Sequence, residues 1–190
     1  MGCALVERRC SLGEVDSHVD QTTTPRARMS PPSLPRARPL ASFCMWADAL
    51  LSLERAHLLR LAIWGGGSVL LGTFTIAWLA MRGSSSPLLR HFAIQTAAWG
   101  AVDLAICAWA ARTLALRDLD GATSLINFLW LNVGLDAGYA GVGLTIALCS
   151  WRLGKKLGGV GAGMGIIVQG LALALLDLVL LAQIAAARAA

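Results

Sequence analysis

The chain has 190 residues, of which 56% are hydrophobic and only 14% charged, and its mean hydropathy is +0.64. This composition departs from that of soluble proteins and approaches that of membrane proteins. The net charge of +5 does not indicate a nucleic-acid binder, because basic residues at membrane faces explain the excess. The five cysteines show no C-x-x-C or Cys/His spacing, so the sequence predicts neither a metal site nor a disulfide framework.

Residues 1–42 form a Pro- and Arg-rich tail that contains all but one of the six prolines. Segments of this composition bury too little apolar surface to offset the entropy of folding, so we predict a disordered tail. We hypothesise that the tail is either a dispensable extension or an artefact of an early start site. In the second case translation begins at Met45.

Residues 43–57 have an amphipathic pattern, with Trp46, Ala49, Leu50 and Leu53 on one face of a helix. The pattern predicts a short helix at the membrane interface that continues directly into the first span. The alternative is that this segment simply forms the first turns of that span.

Four apolar segments follow, and each is long enough to cross a hydrocarbon core of about 30 Å. The breaks between them carry turn residues or charges, at residues 83–87, 117–121 and 152–159. The predicted transmembrane helices are residues 58–81, 88–111, 124–151 and 160–187.

The third predicted span has two different faces. At about 100° per residue, Asn132, Asp136, Tyr139 and Gly143 fall on one polar face. The opposite face is rich in glycine, which lets a neighbouring backbone approach closely. The glycines predicted to pack against a helix are Gly134, Gly138 and Gly141 in this span and Gly159 and Gly163 in the fourth.

An internal repeat relates the second and fourth spans. Gln95 and Asp103 have the same eight-residue spacing as Gln169 and Asp177. The flanking first and third spans also share a Thr-Ile-Ala run and a following arginine. The repeat predicts two like helical hairpins, which have the same topology because each crosses the membrane twice.

The acids Asp103, Asp136 and Asp177 lie at similar depths from the same membrane face. Inserting each one ionised at a helix centre costs roughly 2.5–3.5 kcal/mol, so these carboxylates need partners or protons. One hypothesis is a proton or cation site; the other is a set of interhelical hydrogen bonds, each contributing about 0.6 kcal/mol. The other members of this candidate polar layer are Asn132, Tyr139, Gln95 and Gln169.

No basic residue is expected at the depth of these acids, and Arg60 is the nearest one. His57 and His91 begin the first two spans on opposite faces, so we expect both at the interface. The sequence lacks the spacing of a hydrolase nucleophile elbow. We therefore expect no enzyme activity and no cofactor.

Three motifs carry a resemblance to a known family. The run from Leu131 to Tyr139 reads LNxGLDxGY, the pattern GxxxQG follows at 165–170, and Asp177 comes next. In these features the chain resembles an uncharacterised family of small bacterial four-helix membrane proteins, over about residues 50–187. The resemblance implies a fold and a membrane location, and it implies no activity and no catalytic residues.

These patterns predict an all-α protein: a four-transmembrane-helix bundle built from two repeated helical hairpins, in the cell (inner) membrane. The main hypothesis for its function is a non-enzymatic structural or accessory membrane protein, and the alternative is a small proton or cation conductor. The expected partners are the lipid bilayer and a second copy or another membrane protein, and not nucleic acid. The basic residues of the bundle divide evenly between its faces, so the tail arginines favour a cytoplasmic N-terminus.

Overall fold

The computed structural model describes the backbone of residues 38–189 and the side chains of residues 45–189. The predictions about the first 37 residues lie outside this part, and the proposed start at Met45 stays a prediction. The last residues of the predicted tail, 38–42, are helical. The bundle described below belongs to one compact unit that begins at Ala47.

The described residues form four helices joined by short connections and contain no strand. This architecture confirms the predicted all-α, four-helix fold. Residues 43–57 belong to the same continuous helix as the first predicted span, and its buried positions there include Ala47 and Leu50. The helices are α1 (Arg38–Met81), α2 (Pro87–Arg112), α3 (Leu119–Arg152) and α4 (Leu157–Ala189).

The helices begin and end at residues that favour caps and turns. Ser86 caps α2 by accepting a hydrogen bond from the backbone N–H of Leu89, and proline follows at the first helical position. Asp118 caps α3 by accepting from the Gly121 N–H at 2.8 Å. Gly154, with φ of 99°, supplies the left-handed conformation that closes the turn between α3 and α4.

In each hairpin, the backbones of the two helices approach each other closely at glycine residues. A Cβ added to Gly100 on α2 would lie 2.6 Å from the carbonyl oxygen of Gly65 on α1. A Cβ on Gly143 of α3 would lie 2.7 Å from the Gly163 carbonyl oxygen of α4. The helices therefore approach at distances that only the absence of a side chain permits.

The two hairpins run in the same direction. Along α2, Leu88 lies against Gly161 of α4, and further along Asp103 reaches Gln169, so α2 and α4 are parallel. Helix α4 also contacts α1 and α3, and it is the most buried of the four helices. The end with the connections 82–86 and 153–156 is called the hairpin end, and the opposite end, with connection 113–118, the loop end.

The outer surfaces of the helices are apolar. Large hydrophobic side chains such as Leu70, Trp109, Trp130 and Leu175 are exposed along the length of the bundle. A water-soluble protein of this size exposes no such continuous apolar surface. By length and composition, all four helices can cross a membrane.

Candidate functional site

The three acids predicted to share a layer lie close together inside the bundle. Asp103 on α2, Asp136 on α3 and Asp177 on α4 are 2%, 7% and 8% exposed. The carboxylates of Asp103 and Asp177 are near enough to Asp136 for their charges to interact with it. These three residues, from three helices, are called the acid layer below.

The side-chain amide of Gln169 joins three helices. Its Nε2 donates a hydrogen bond to Oδ2 of Asp103 on α2, and its Oε1 accepts one from Nε1 of Trp64 on α1, at 3.1 Å. Gln169 is 4% exposed; its bond with Asp103 is buried and its bond with Trp64 is partly buried. The sequence placed Gln169 in the polar layer but did not indicate that Trp64 donates to it.

A basic residue does reach the acid layer, contrary to the expectation from the sequence. His57 is buried, and its Nε2 lies 3.3 Å from Oδ1 of Asp177. The interfacial position expected for His57 stays a prediction, but the structure buries its side chain inside the bundle against α4. The other ring nitrogen, Nδ1, is buried without a hydrogen-bond partner.

Two further polar contacts lie between the acid layer and the loop end. The Arg117 guanidinium donates two hydrogen bonds to buried Glu54, from Nε to Oε1 at 2.7 Å and from Nη2 to Oε2 at 3.1 Å. Nη1 of Arg60 donates to Oε1 of Gln183 at 3.1 Å. The hydrogen bond with Glu54 raises the pKa of Arg117, so the Arg117 guanidinium stays charged across the physiological range.

A pattern in the sequence indicates the part of the site on α1, which was not predicted. Glu54, His57, Trp64 and Ser68 recur at helical spacing on one face of α1, together with the buried Leu61. Polar residues spaced in this way on an otherwise apolar helix indicate a face turned toward the bundle interior.

Asp136 borders a small crevice between α2, α3 and α4. The crevice has a volume of about 30 Å³, roughly the space of one water molecule in the liquid. Within residues 45–189 the structure shows no hydrogen bond to the Asp136 carboxylate. Besides Asp136, the lining residues are Trp99, Tyr139, Ile166, Gln169, Gly170 and Leu173.

The remaining predicted members of the polar layer lie at its margin. Tyr139 is 44% exposed, and its ring packs on that of Trp99 with centroids 5.4 Å apart. Asn132 is half-buried. Gln95 is also half-buried, with its side-chain stem close to Gly165 of α4. Their role in a polar layer stays a prediction.

The predicted packing glycines separate into two groups. A Cβ on Gly159 would clash with the Ser150 side chain, and one on Gly163 would clash with the backbone of Gly143. Gly143, predicted on the polar face of α3, therefore lies at the α3–α4 contact. The glycines of the other group face open space in the part of the chain that the structure describes: Gly134, Gly138 and Gly141.

His91, the other expected interfacial histidine, is exposed near the start of α2 and donates from Nδ1 to the Pro87 carbonyl oxygen at 2.8 Å. In the part of the chain that the structure describes, no group of His, Cys, Asp and Glu side chains is arranged to hold a metal ion. The side chains that the structure brings together at the site are the three carboxylates, the His57 imidazole and the Gln169 amide.

The pair at the loop end gives a first prediction. Arg117→Ala leaves the buried Glu54 carboxylate without its donor and is expected to lower the free energy of unfolding by about 1.5–3 kcal/mol. The measurement is thermal unfolding in mild detergent. Arg112→Ala, which removes an exposed arginine at the same end, is the matched control, and an equal loss in both variants would contradict a specific pair.

Comparison with known proteins identifies a matching family. A family of unknown function, DUF6992, matches residues 60–178, more than half of the chain and the whole acid layer. The chain therefore belongs to this family. No curated protein and no solved structure matches it.

Proposed function

Starting from membership of a family of unknown function and from the contacts above, we propose that this chain is a multi-pass protein of the bacterial inner membrane. Its role is structural or accessory, and it is not an enzyme. The lipid bilayer is its principal partner, because large apolar side chains cover its outer surface and its polar side chains are concentrated inside.

One observation carries the structural role: the buried polar groups bind one another across helices. The contacts of Gln169 with Trp64 and Asp103 connect α4 to α1 and α2. The His57–Asp177 contact joins α1 to α4 a second time. Such interhelical contacts fix the rotation and register of helices that lipid alone would leave undetermined.

A second copy of the chain or another membrane protein is the further partner that we propose. On α3, a Cβ added at Gly134, Gly138 or Gly141 would meet nothing among the described residues, although glycine suits close helix packing. Nucleic acid is not proposed as a partner. We keep the cytoplasmic N-terminus as the proposed orientation, on the strength of the arginines in residues 1–38.

The test of this proposal is isolation from native membranes in a mild detergent, followed by identification of the proteins and lipids that co-purify. We expect the chain in the membrane pellet after ultracentrifugation, and a defined partner or a second copy in the purified complex. Recovery in the supernatant without detergent would contradict the membrane location. A monomer with no specific protein partner would contradict the accessory role.

The second candidate function is a small proton or cation conductor, and Asp136 is the observation that favours it. This carboxylate is 7% exposed, borders a crevice, and is close to two other acids. A buried carboxylate without a hydrogen-bond donor requires a proton, a water molecule or a cation as its partner.

Proton flux into liposomes that contain the purified protein tests the second candidate. If the chain conducts protons, an imposed pH gradient is expected to decay faster than in empty liposomes, and Asp136→Asn is expected to slow this decay at least about tenfold. Asp120→Asn, which changes an exposed aspartate at the loop end, is the control. The absence of flux at any imposed gradient would contradict conduction.

A further inference from the structure

The hairpin end of the bundle carries positive charge that no acidic residue balances. Residues 55–102 and 137–176, which include both connections of this end, contain no Asp or Glu. Helices α2 and α4 both begin here, and neither has an acidic residue in its first turn. Five cationic side chains at this end are exposed, and we call them the basic patch: Arg82, Arg90, Arg152, Lys155 and Lys156.

The side chains of the basic patch have no anionic partner among the described residues. Within residues 45–189, the structure shows no ion pair and no hydrogen bond from any of the five side chains. The acidic residues outside the acid layer lie toward the loop end instead, where Glu54 neutralises Arg117. They are Asp48, Glu54, Asp118 and Asp120. Because like charges repel one another, anions from outside the chain stabilise the basic patch.

The two hairpins contribute to one basic surface. The ring of His91, near the start of α2, lies so close to Gly158 of α4 that a Cβ there would be 3.0 Å from it. Leu88, one turn earlier in α2, lies against Gly161. The starts of α2 and α4 are therefore in contact, and the connections that precede them bring the cations of both hairpins to the same end of the bundle.

Two tryptophans hold cations of the basic patch at the outer surface. Cζ of Arg82 lies 4.4 Å from the ring centroid of Trp78, and Nζ of Lys155 lies 5.7 Å from that of Trp151. Both rings are exposed on the outside of the bundle. Tryptophan favours the headgroup level of a bilayer, and a guanidinium stacked on a ring keeps its N–H donors for other partners. In a bilayer these cations therefore lie at the level of the phospholipid phosphates.

The connection that carries both lysines is short and fixed by backbone hydrogen bonds. The N–H of Lys155 donates to the carbonyl oxygen of Trp151 at 3.1 Å, and that of Lys156 donates to the carbonyl oxygen of Ser150 at 2.9 Å. A segment that is already ordered loses little conformational entropy when it binds a ligand. The two lysines are thus placed for an anion before it binds.

We propose that the basic patch binds anionic phospholipids of the leaflet at the hairpin end, whose phosphate groups accept hydrogen bonds from its arginines and lysines. Charge complementarity selects this occupant, because phospholipid phosphates are the anions found at the depth that tryptophan favours. The inference rests on the proposed membrane location and adds the class of lipid and the place where the chain binds it. It holds for either orientation, since it requires anionic lipid only in the leaflet that the hairpin end faces.

The experiment is native mass spectrometry of the full chain in a mild detergent, with phosphatidylglycerol or phosphatidylcholine of the same acyl chains added. We expect the chain to bind phosphatidylglycerol at least about tenfold more tightly, because each cation near an anionic headgroup contributes about fivefold in affinity. The preference is expected to fall as the ionic strength is raised, since salt screens exposed charges.

The double variant Arg82→Gln/Arg152→Gln removes one arginine of the basic patch from each hairpin. It is expected to weaken the binding of phosphatidylglycerol at least about tenfold and to leave that of phosphatidylcholine unchanged. The matched control is Arg55→Gln/Arg112→Gln, which removes two exposed arginines toward the loop end, so both variants have the same net charge. We expect the control to bind phosphatidylglycerol as the unmodified chain does.

Equal affinities for the two lipids in the unmodified chain would overturn the inference, and this comparison needs no variant. An equal loss in the two double variants would overturn it as well, since binding would then follow net charge and not the basic patch. Displacement of the bound lipid by inorganic phosphate would assign the basic patch to a soluble anion and overturn the lipid as its occupant. A chain that enters phosphatidylcholine vesicles but shows no preference leaves the proposed membrane location intact, whereas recovery in the supernatant without detergent contradicts that location itself.

Discussion

The Gly163→Leu variant is expected to lose at least about 3 kcal/mol of unfolding free energy, and it is expected to unfold in detergents that the unmodified protein tolerates. A Cβ at this position would meet the backbone of Gly143 and Ala147 on α3. Backbone atoms cannot rotate aside as a flexible side chain can. The α3–α4 pair must therefore separate, which also disturbs the nearby contact of Gly170 with the Asp136 carbonyl oxygen.

Gly138→Leu is the matched control, because it adds the same side chain to a glycine that faces open space. Its unfolding free energy is expected to be unchanged or slightly higher, since leucine is a better helix former than glycine by roughly 0.8 kcal/mol. The stability of both variants is measured by thermal unfolding, and their oligomeric state by size-exclusion chromatography. Equal destabilisation at Gly163 and Gly138 would contradict the packing described for α3 and α4. A change of oligomeric state confined to Gly138→Leu would support the proposed contact between copies.

The Gln169→Leu variant is expected to lose about 2–4 kcal/mol of unfolding free energy. An ordinary interhelical hydrogen bond in a membrane contributes only about 0.6 kcal/mol. The expected loss is larger because the variant leaves two groups unpaired, the Trp64 indole N–H and the buried Asp103 carboxylate. The measurement is unfolding in detergents of increasing strength, monitored by tryptophan fluorescence. Trp64 itself contributes to this signal.

The chain supplies its own control in the matching glutamine of the repeat. Gln95→Leu makes the same chemical change at a half-buried residue that the structure shows in no hydrogen bond within residues 45–189. Its effect is expected to stay within about 0.5 kcal/mol. In the Gln169→Leu background, Asp103→Leu removes the unpaired carboxylate and is expected to restore part of the lost stability. If Gln95→Leu costs as much as Gln169→Leu, the specific role of Gln169 is refuted.

The helices themselves could be predicted closely from local sequence. The second span was predicted at 88–111 and is found at Pro87–Arg112, because proline, a serine cap and the loss of apolar character are all local signals. The helix predicted over residues 43–57 does continue into the first span, and α1 begins earlier, at Arg38. Whether residues 43–57 lie at the membrane interface stays a prediction.

The common depth of Asp103, Asp136 and Asp177 also followed from the sequence. Helical rise converts residue number directly into depth once the ends of each span are known. The structure buries all three acids inside the bundle, and their common depth in a membrane stays a prediction.

What the sequence determined, then, was the number of helices and their approximate ends, both of which depend on near neighbours along the chain. Only the tertiary structure decided which polar side chains contact one another. Gln95 and Gln169 occupy equal places in the repeat, yet only Gln169 bonds Asp103, because α4 lies between α1, α2 and α3. His57 reaches Asp177 for a similar reason: α1 packs on α2 through its glycines, and α4, which is distant in sequence, lies beside both helices. Hydrophobic periodicity defines which face of a helix is buried, but packing between helices determines which residues that face contacts.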